Sequence, residues 1–134
     1  ESAVSREYGL EAAAAVGVPA GMVYKTLVAK LDAKRLAVAL VPVSSELDLK
    51  ALATLAEAKR AEMATPQEAE RATGYVVGSI SPLGQRRRLE TYIDSAVMKL
   101  TNVYVSAGRR GLEIELAPGD LVACCQARLG SIAR

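Results

Sequence analysis

The residues of this chain that could do chemistry are few and they cluster. In "MVYKTLVAKL", strand alternation puts Val23, Lys25, Leu27, Ala29 and Leu31 on one otherwise apolar face. An ammonium there either snorkels to the rim or lines a pocket where it meets an anion or a developing negative charge. In "GYVVGSISPLGQRRR", Gly74 to Arg88, three glycines and a proline bend an apolar run just ahead of three arginines. Gly74, Gly78 and Gly84 suit turns; they also let backbone N–H groups approach a ligand carbonyl or phosphate. Arg86, Arg87 and Arg88, with Arg109 and Arg110 in a later turn, form two basic clusters. Either alone reads as solvated surface, and both together read as phosphate contacts if they flank one site. Glu113 and Glu115 share the polar face of a strand, as hydrated carboxylates or as acceptors for an amino group.

Other chemistry is excluded by what the chain lacks. There is no histidine, so no Ser-His or Cys-His pair can be assembled. The two cysteines are the neighbours Cys124 and Cys125, which offer neither a CxxC pair nor a soft-ligand set for zinc, and they read as packing residues. No metal and no cofactor is expected. The cysteine usage also argues for a reducing compartment and, with no signal peptide or membrane-length apolar run, for the cytoplasm. The formal net charge is +2, too small for a global basic field, and the aromatic residues are five tyrosines, too few for base-stacking platforms.

The elements that must position these residues follow from periodicity. At 134 residues the chain reads as one domain, 1–134, with no repeat or linker. "YGLEAAAAVGVP" predicts a short helix closed by Gly17 and Pro19. A strand pair follows, "MVYKTLVAKL" and "LAVALVPV", joined at "DAKR". Ser45 and Asp48 form a capping-box-like start for a helix through "LDLKALATLAEA", "RAEMA" is a short strand, and Thr65-Pro66-Gln67-Glu68 carries a capping box. Residues 75–80 read as a strand or extended loop. "LETYIDSAV" passes from strand to helical turn, and "NVYVSAGRRGLEIEL" is a hairpin. Pro118-Gly119-Asp120 starts a last helix whose stripe would include Leu121, Val122, Cys125 and Leu129. Strands joined by hairpins and short helices favour a mixed α+β domain with a curved, largely antiparallel sheet.

"VYKTL", "VPVSSELDLK", "TGYVVGSISPLGQRRRL", "YVSAGRRGLEIEL" and "GDL", in this order, resemble the bacterial YbaK-type aminoacyl-tRNA deacylases, relatives of the editing domain of prolyl-tRNA synthetases. The likeness runs from Tyr8 to Arg134 and looks like the branch that removes cysteine from proline tRNA. It implies a partly closed, barrel-like mixed sheet with surrounding helices, and a strand and helix ahead of Glu1 carrying a further pocket tyrosine. It implies Lys25 as the essential lysine and Gly78 as the site glycine whose backbone holds the aminoacyl carbonyl or the ribose. Ser106 matches a pocket hydroxyl, Tyr8 replaces a phenylalanine, Glu113 replaces an aspartate, and Ser81 lies in the signature segment as a substrate contact. The five arginines are implied as contacts to tRNA. The implied reaction needs no protein nucleophile, because the substrate cysteine's thiolate attacks its own ester. The implied partners are Cys-tRNA(Pro) and prolyl-tRNA synthetase, with neither membrane nor metal. Deacylation of alanine or another small residue, and a catalytically inactive tRNA-end-binding module, remain as alternatives.

Overall fold

The structure, a computed structural model, describes residues 10–14 and 16–134. Tyr8 therefore lies outside the described residues. The chain opens with helical residues 10–14 and 16, ending at Gly17 with φ +72. Strand β1 (Tyr24–Leu31) and strand β2 (Arg35–Pro42) form an antiparallel hairpin paired from Tyr24↔Pro42 to Leu31↔Arg35. Its turn places Asp32 and Ala33 at φ 52 and 58, the left-handed pair that suits the twist of a tight hairpin. The Asp32 carboxylate accepts from the amides of Lys59 and Arg60, both at 3.0 Å, and so fixes the entry to strand β3 (Ala61–Met63).

Helix α1 (Leu49–Leu55) is capped by Asp48, whose carboxylate accepts from Ala51 N at 3.0 Å. Helix α2 (Pro66–Thr73) has the complete capping box expected of its sequence: Glu68 N donates to Thr65 Oγ1 at 3.1 Å and Thr65 N to Glu68 Oε1 at 2.9 Å. Glu68 also pairs with Lys30 of β1, which ties the helix to the sheet. Lys30 and the Thr65 amide together hold the Glu68 carboxyl down at about 2. Gly74, at φ 82, ends the helix in the left-handed conformation.

Residues 75–89 form no strand. Strand β4 (Glu90–Asp94) then runs into a 3₁₀ turn, Ser95–Lys99, and strands β5 (Val103–Arg109) and β6 (Leu112–Leu116) make the second hairpin. Helix α3 (Pro118–Cys125) stops where Gln126 adopts φ 49, and the chain turns into strand β7 (Arg128–Gly130). Leu129 is therefore on a strand and not on the last helix's stripe, a correction to the periodicity reading. The left-handed Gln126 re-aims the backbone so that residues 128–130 pair with β4.

The main sheet has the order β3-β1-β2-β4-β7. Its β3–β1 and β1–β2 junctions are antiparallel, and β2–β4 and β4–β7 are parallel, each spanned by intervening elements as parallel neighbours require. The sheet is mixed, as expected, and is not closed. β5 and β6 form a separate two-stranded sheet joined to the first by a bridge between Val23 and Tyr104. Core lies on both sides of β1 and β2: Leu27, Ala29 and Leu31 pack with Leu52 and Ile132, and Tyr24, Val38 and Leu40 with Val103 and Leu121. Burial on both faces is why these strands read as near-continuous apolar runs.

Candidate active site

The edge of β1 carries the site. Strand β3 pairs only with Ala29–Leu31, Ala64 N reaches the Val28 carbonyl at 3.0 Å, and β5 touches the chain at Val23. Between those anchors, residues 24–27 have no strand neighbour on that edge among the described residues. A cavity of about 220 Å³ fills this break in the ladder. α2 contributes Pro66 and Ala69 to its wall, the segment after α2 contributes Val77, Gly78 and Ile80, and the β5–β6 hairpin contributes Ser106, Arg109 and Glu113. Ala12 and Val43 close it with small aliphatic surface.

Two consecutive polar residues of β1 line the cavity. Lys25 is only 8% exposed, deeper than a snorkelling lysine. Thr26 is 9% exposed, and its hydroxyl has no hydrogen-bond partner among the described residues. A buried orphan hydroxyl costs free energy that a ligand group can recover. Sequence reasoning missed Thr26, because threonine is an ordinary strand residue and nothing in "YKTL" separates it from its neighbours.

The glycine segment is held by side chains, since it has no ladder of its own. Val77 N donates to Glu70 Oε2 at 3.0 Å, and the Tyr75 hydroxyl donates to the Leu83 carbonyl at 2.6 Å. The Tyr75 ring lies over Gly108, where an added Cβ would sit 2.5 Å from the ring. Ser106 Oγ donates to the Ser79 carbonyl at 3.1 Å and accepts from Gly108 N at 3.0 Å, so its hydroxyl clasps the segment to β5. Between these tethers Gly78 sits on the cavity wall at φ 97, which a residue with a Cβ adopts only with strain.

Glu113 faces Ser106 in the β5–β6 register, and burial pushes its carboxyl above the usual range. Its strand face is thus split: Glu113 turns to the cavity and Glu115 is exposed. Arg110 at the hairpin turn pairs with Glu11 at 2.6 Å, linking the mouth of the cavity to the N-terminal helical residues and lowering the Glu11 carboxyl.

Lys25, Gly78, Ser106, Glu113, Arg109 and Arg110 are thus brought to one cavity. Ser81 is not among its lining residues: it is 1% exposed and its hydroxyl accepts from Leu83 N at 3.2 Å inside the loop. Arg86, Arg87 and Arg88 line a different depression, beside Arg71 and Lys34. Their position follows from the loop's return, in which Arg86 N and Arg87 N donate to the carbonyls of Thr73 and Ala72 at the end of α2. Cys125 is half-buried near the Pro82 carbonyl, its thiol pushed up to about 11 by burial and by Cys124, and neither cysteine lines the cavity. Among the described residues no group of three His, Cys, Asp or Glu side chains could hold a metal ion. No described helix is long and apolar enough to cross a membrane.

Such a cavity offers an ammonium, an orphan hydroxyl, a glycine backbone and a carboxyl, within aliphatic walls sized for a small group. Among the described residues neither of its aliphatic hydroxyls, Thr26 Oγ1 and Ser106 Oγ, is hydrogen-bonded to a base. The chain is similar to several known proteins. The candidate Cys-tRNA(Pro)/Cys-tRNA(Cys) deacylase EbsC of Enterococcus faecalis is 35% identical over 120 residues, covering 90% of this chain and 73% of that protein. The crystal structure of a candidate trans-editing enzyme for prolyl-tRNA synthetase superposes with a TM-score of 0.88 at 27% identity, over 99% of this chain and 83% of the other. That of the hypothetical protein APE2540 gives 0.86 at 25%, over 94% and 83%. Residues 8–124 match the family described as the aminoacyl-tRNA editing domain, and this chain belongs to that family of editing deacylases.

Proposed function

We propose that the protein hydrolyses cysteine from mischarged Cys-tRNA(Pro), acting on tRNA released by prolyl-tRNA synthetase. The observation that carries this reading is the cavity itself: room for a small aminoacyl group, a buried lysine and a tethered glycine, with no lining aliphatic hydroxyl hydrogen-bonded to a base among the described residues. A substrate that brings its own thiolate supplies what the chain lacks. The sulfur attacks the ester carbonyl of the same residue, a C–S bond forms, and the C–O bond to the terminal ribose breaks. The proton that the thiol gave up ends on the departing ribose oxygen, and water opens the resulting four-membered thiolactone to free cysteine.

In this reading the chain's work is orientation and charge stabilisation. The Gly78 backbone orients the ester, Lys25 holds the ribose or phosphate at the tRNA end, and Thr26 Oγ1 gains its missing partner from the aminoacyl-adenosine. Glu113 accepts the α-ammonium, whose charge offsets the desolvation that raises its carboxyl. Arg109 and Arg110 meet the backbone at the mouth, and Ser106 acts through the loop it clasps. Ser81 in turn supports that loop from inside. The test is deacylation of tRNA(Pro) charged with cysteine, alanine or proline. Preference for cysteine by at least about tenfold supports the reading; equal or faster loss of alanine assigns a small-residue deacylase; loss of none of them assigns an end-binding module.

A further inference from the structure

Two shallow depressions on the surface share Lys34 and Arg35 and so form one continuous belt. One half extends to Lys59 and Arg60, the other to Arg71 and the run Arg86, Arg87 and Arg88. With Lys30, the belt gathers nine of the chain's 17 cations against four of its 15 carboxylates. Three of those four are occupied: Glu68 with Lys30, Glu90 with Arg35, and Asp32 with the amides of Lys59 and Arg60. The remaining seven cations are all exposed and none is in an ion pair among the described residues. Elsewhere Arg110, Arg128 and Arg134 each have a carboxylate partner. Of the ten exposed cations that are in no ion pair among the described residues, seven thus lie on this one surface, the others being Lys50, Lys99 and Arg109.

Among the described residues no aromatic side chain lines either depression. Binding to single-stranded RNA draws on stacking of unpaired bases on such rings, whereas a duplex is held through its phosphates and its shape. Arg35 stands opposite Leu31 on the hairpin, six residues along β1 from Lys25, or roughly 20 Å by strand rise. No residue of the belt lines the cavity, although Lys30 and Glu62 lie two and one residues along their strands from Val28 and Met63 of its wall. We propose that this belt is a docking surface for the phosphate backbone of duplex RNA, sequence-independent and separate from the cavity. The choice of RNA over another polyanion rests on the deacylase reading given above.

The test measures fluorescence anisotropy of a labelled 12-base-pair RNA duplex, uncharged tRNA and a 12-nucleotide single strand across salt concentrations. It compares Lys59→Ser/Arg60→Ser and Lys34→Ser/Arg71→Ser with Lys50→Ser/Lys99→Ser, which removes the same charge from exposed positions off the belt. Melting temperatures confirm folding, and the two belt variants keep the test standing if one is unstable. Each belt variant should weaken duplex and tRNA binding by about tenfold and lower the log-log salt slope by roughly one to two. The off-belt variant should change binding by less than about threefold. Equal effects of belt and off-belt variants would overturn the proposal, as would single strands bound as tightly as duplex. Because uncharged RNA is the probe, these outcomes are independent of whether any aminoacyl ester is cleaved.

Discussion

The cavity and the belt treat charge in opposite ways. In the cavity the charged groups are few and desolvated: Lys25 is 8% exposed and Glu113 has its carboxyl raised by burial. On the belt the cations are many, and seven of the nine are exposed and in no ion pair among the described residues. Desolvated groups act strongly on one small neighbour at a fixed place, and hydrated ones act weakly on many phosphates without selecting among them. In the proposed reading the first region orients the ester and the second supplies affinity, so substitutions in each should show separate signatures.

The largest effect is expected at Lys25. Lys25→Ala should lower single-turnover deacylation by at least about two orders of magnitude, as loss of an oriented charge-stabilising group does. Lys25→Arg should recover little, because a planar guanidinium does not replace a compact ammonium in a small cavity. A melting temperature near wild type must accompany the measurement, and near-normal rates would move Lys25 out of the chemistry. Next comes the tethering of the glycine segment. Gly108→Ala would drive a Cβ into the Tyr75 ring at φ 97, displacing the loop that presents Gly78. We expect a loss of roughly tenfold or more in kcat/KM, by misplacement of the reacting group. Tyr75→Phe, which removes only the bond to the Leu83 carbonyl, should cost about 1 kcal/mol of stability. If Gly108→Ala left activity intact, the loop would not position the site.

A smaller effect separates the buried carboxyl from the exposed charges. Burial raises Glu113 in the folded chain, so its neutral form is the favoured one. Its contribution to stability is present at acid pH and is lost as pH rises through the folded value. Glu113→Gln should therefore raise the melting temperature at pH 7.5 more than at pH 4, while lowering deacylation. An unchanged difference across that range would mean that the carboxyl is hydrated after all. The smallest effect is expected at the cysteines. Cys124→Ser/Cys125→Ser should stay within a few-fold of wild-type activity, and at pH 8 Cys124, which is exposed, should alkylate well before Cys125, whose thiol is pushed up to about 11.

Much of this was legible in the sequence where local rules govern. The capping box at Thr65 and Glu68 and the two hairpins are short-range patterns, and they fold as written. The parallel β4–β7 junction was not legible, because it depends on Gln126 turning left-handed, a conformation that glutamine does not advertise. Lys25 stood out as a cation in an apolar run, whereas the orphan hydroxyl of Thr26 needed three dimensions to show that its neighbours offer no partner. The arginines divided in the same way. Their clustering is visible along the chain, but only the fold shows that Arg86 to Arg88 join Lys34 and Arg71 away from the cavity while Arg109 and Arg110 stay at its mouth.

The central claim is that the substrate's own thiol does the nucleophilic work in a cavity that only orients it. Single-turnover deacylation of tRNA(Pro) charged with cysteine and with serine, which differ by sulfur against oxygen at one atom, tests it most directly. The account predicts cleavage of the cysteinyl ester faster by at least about two orders of magnitude, with no covalent enzyme intermediate trapped during the turnover. Comparable rates for the two esters, or an acyl group found on Cys124 or Cys125, would contradict it.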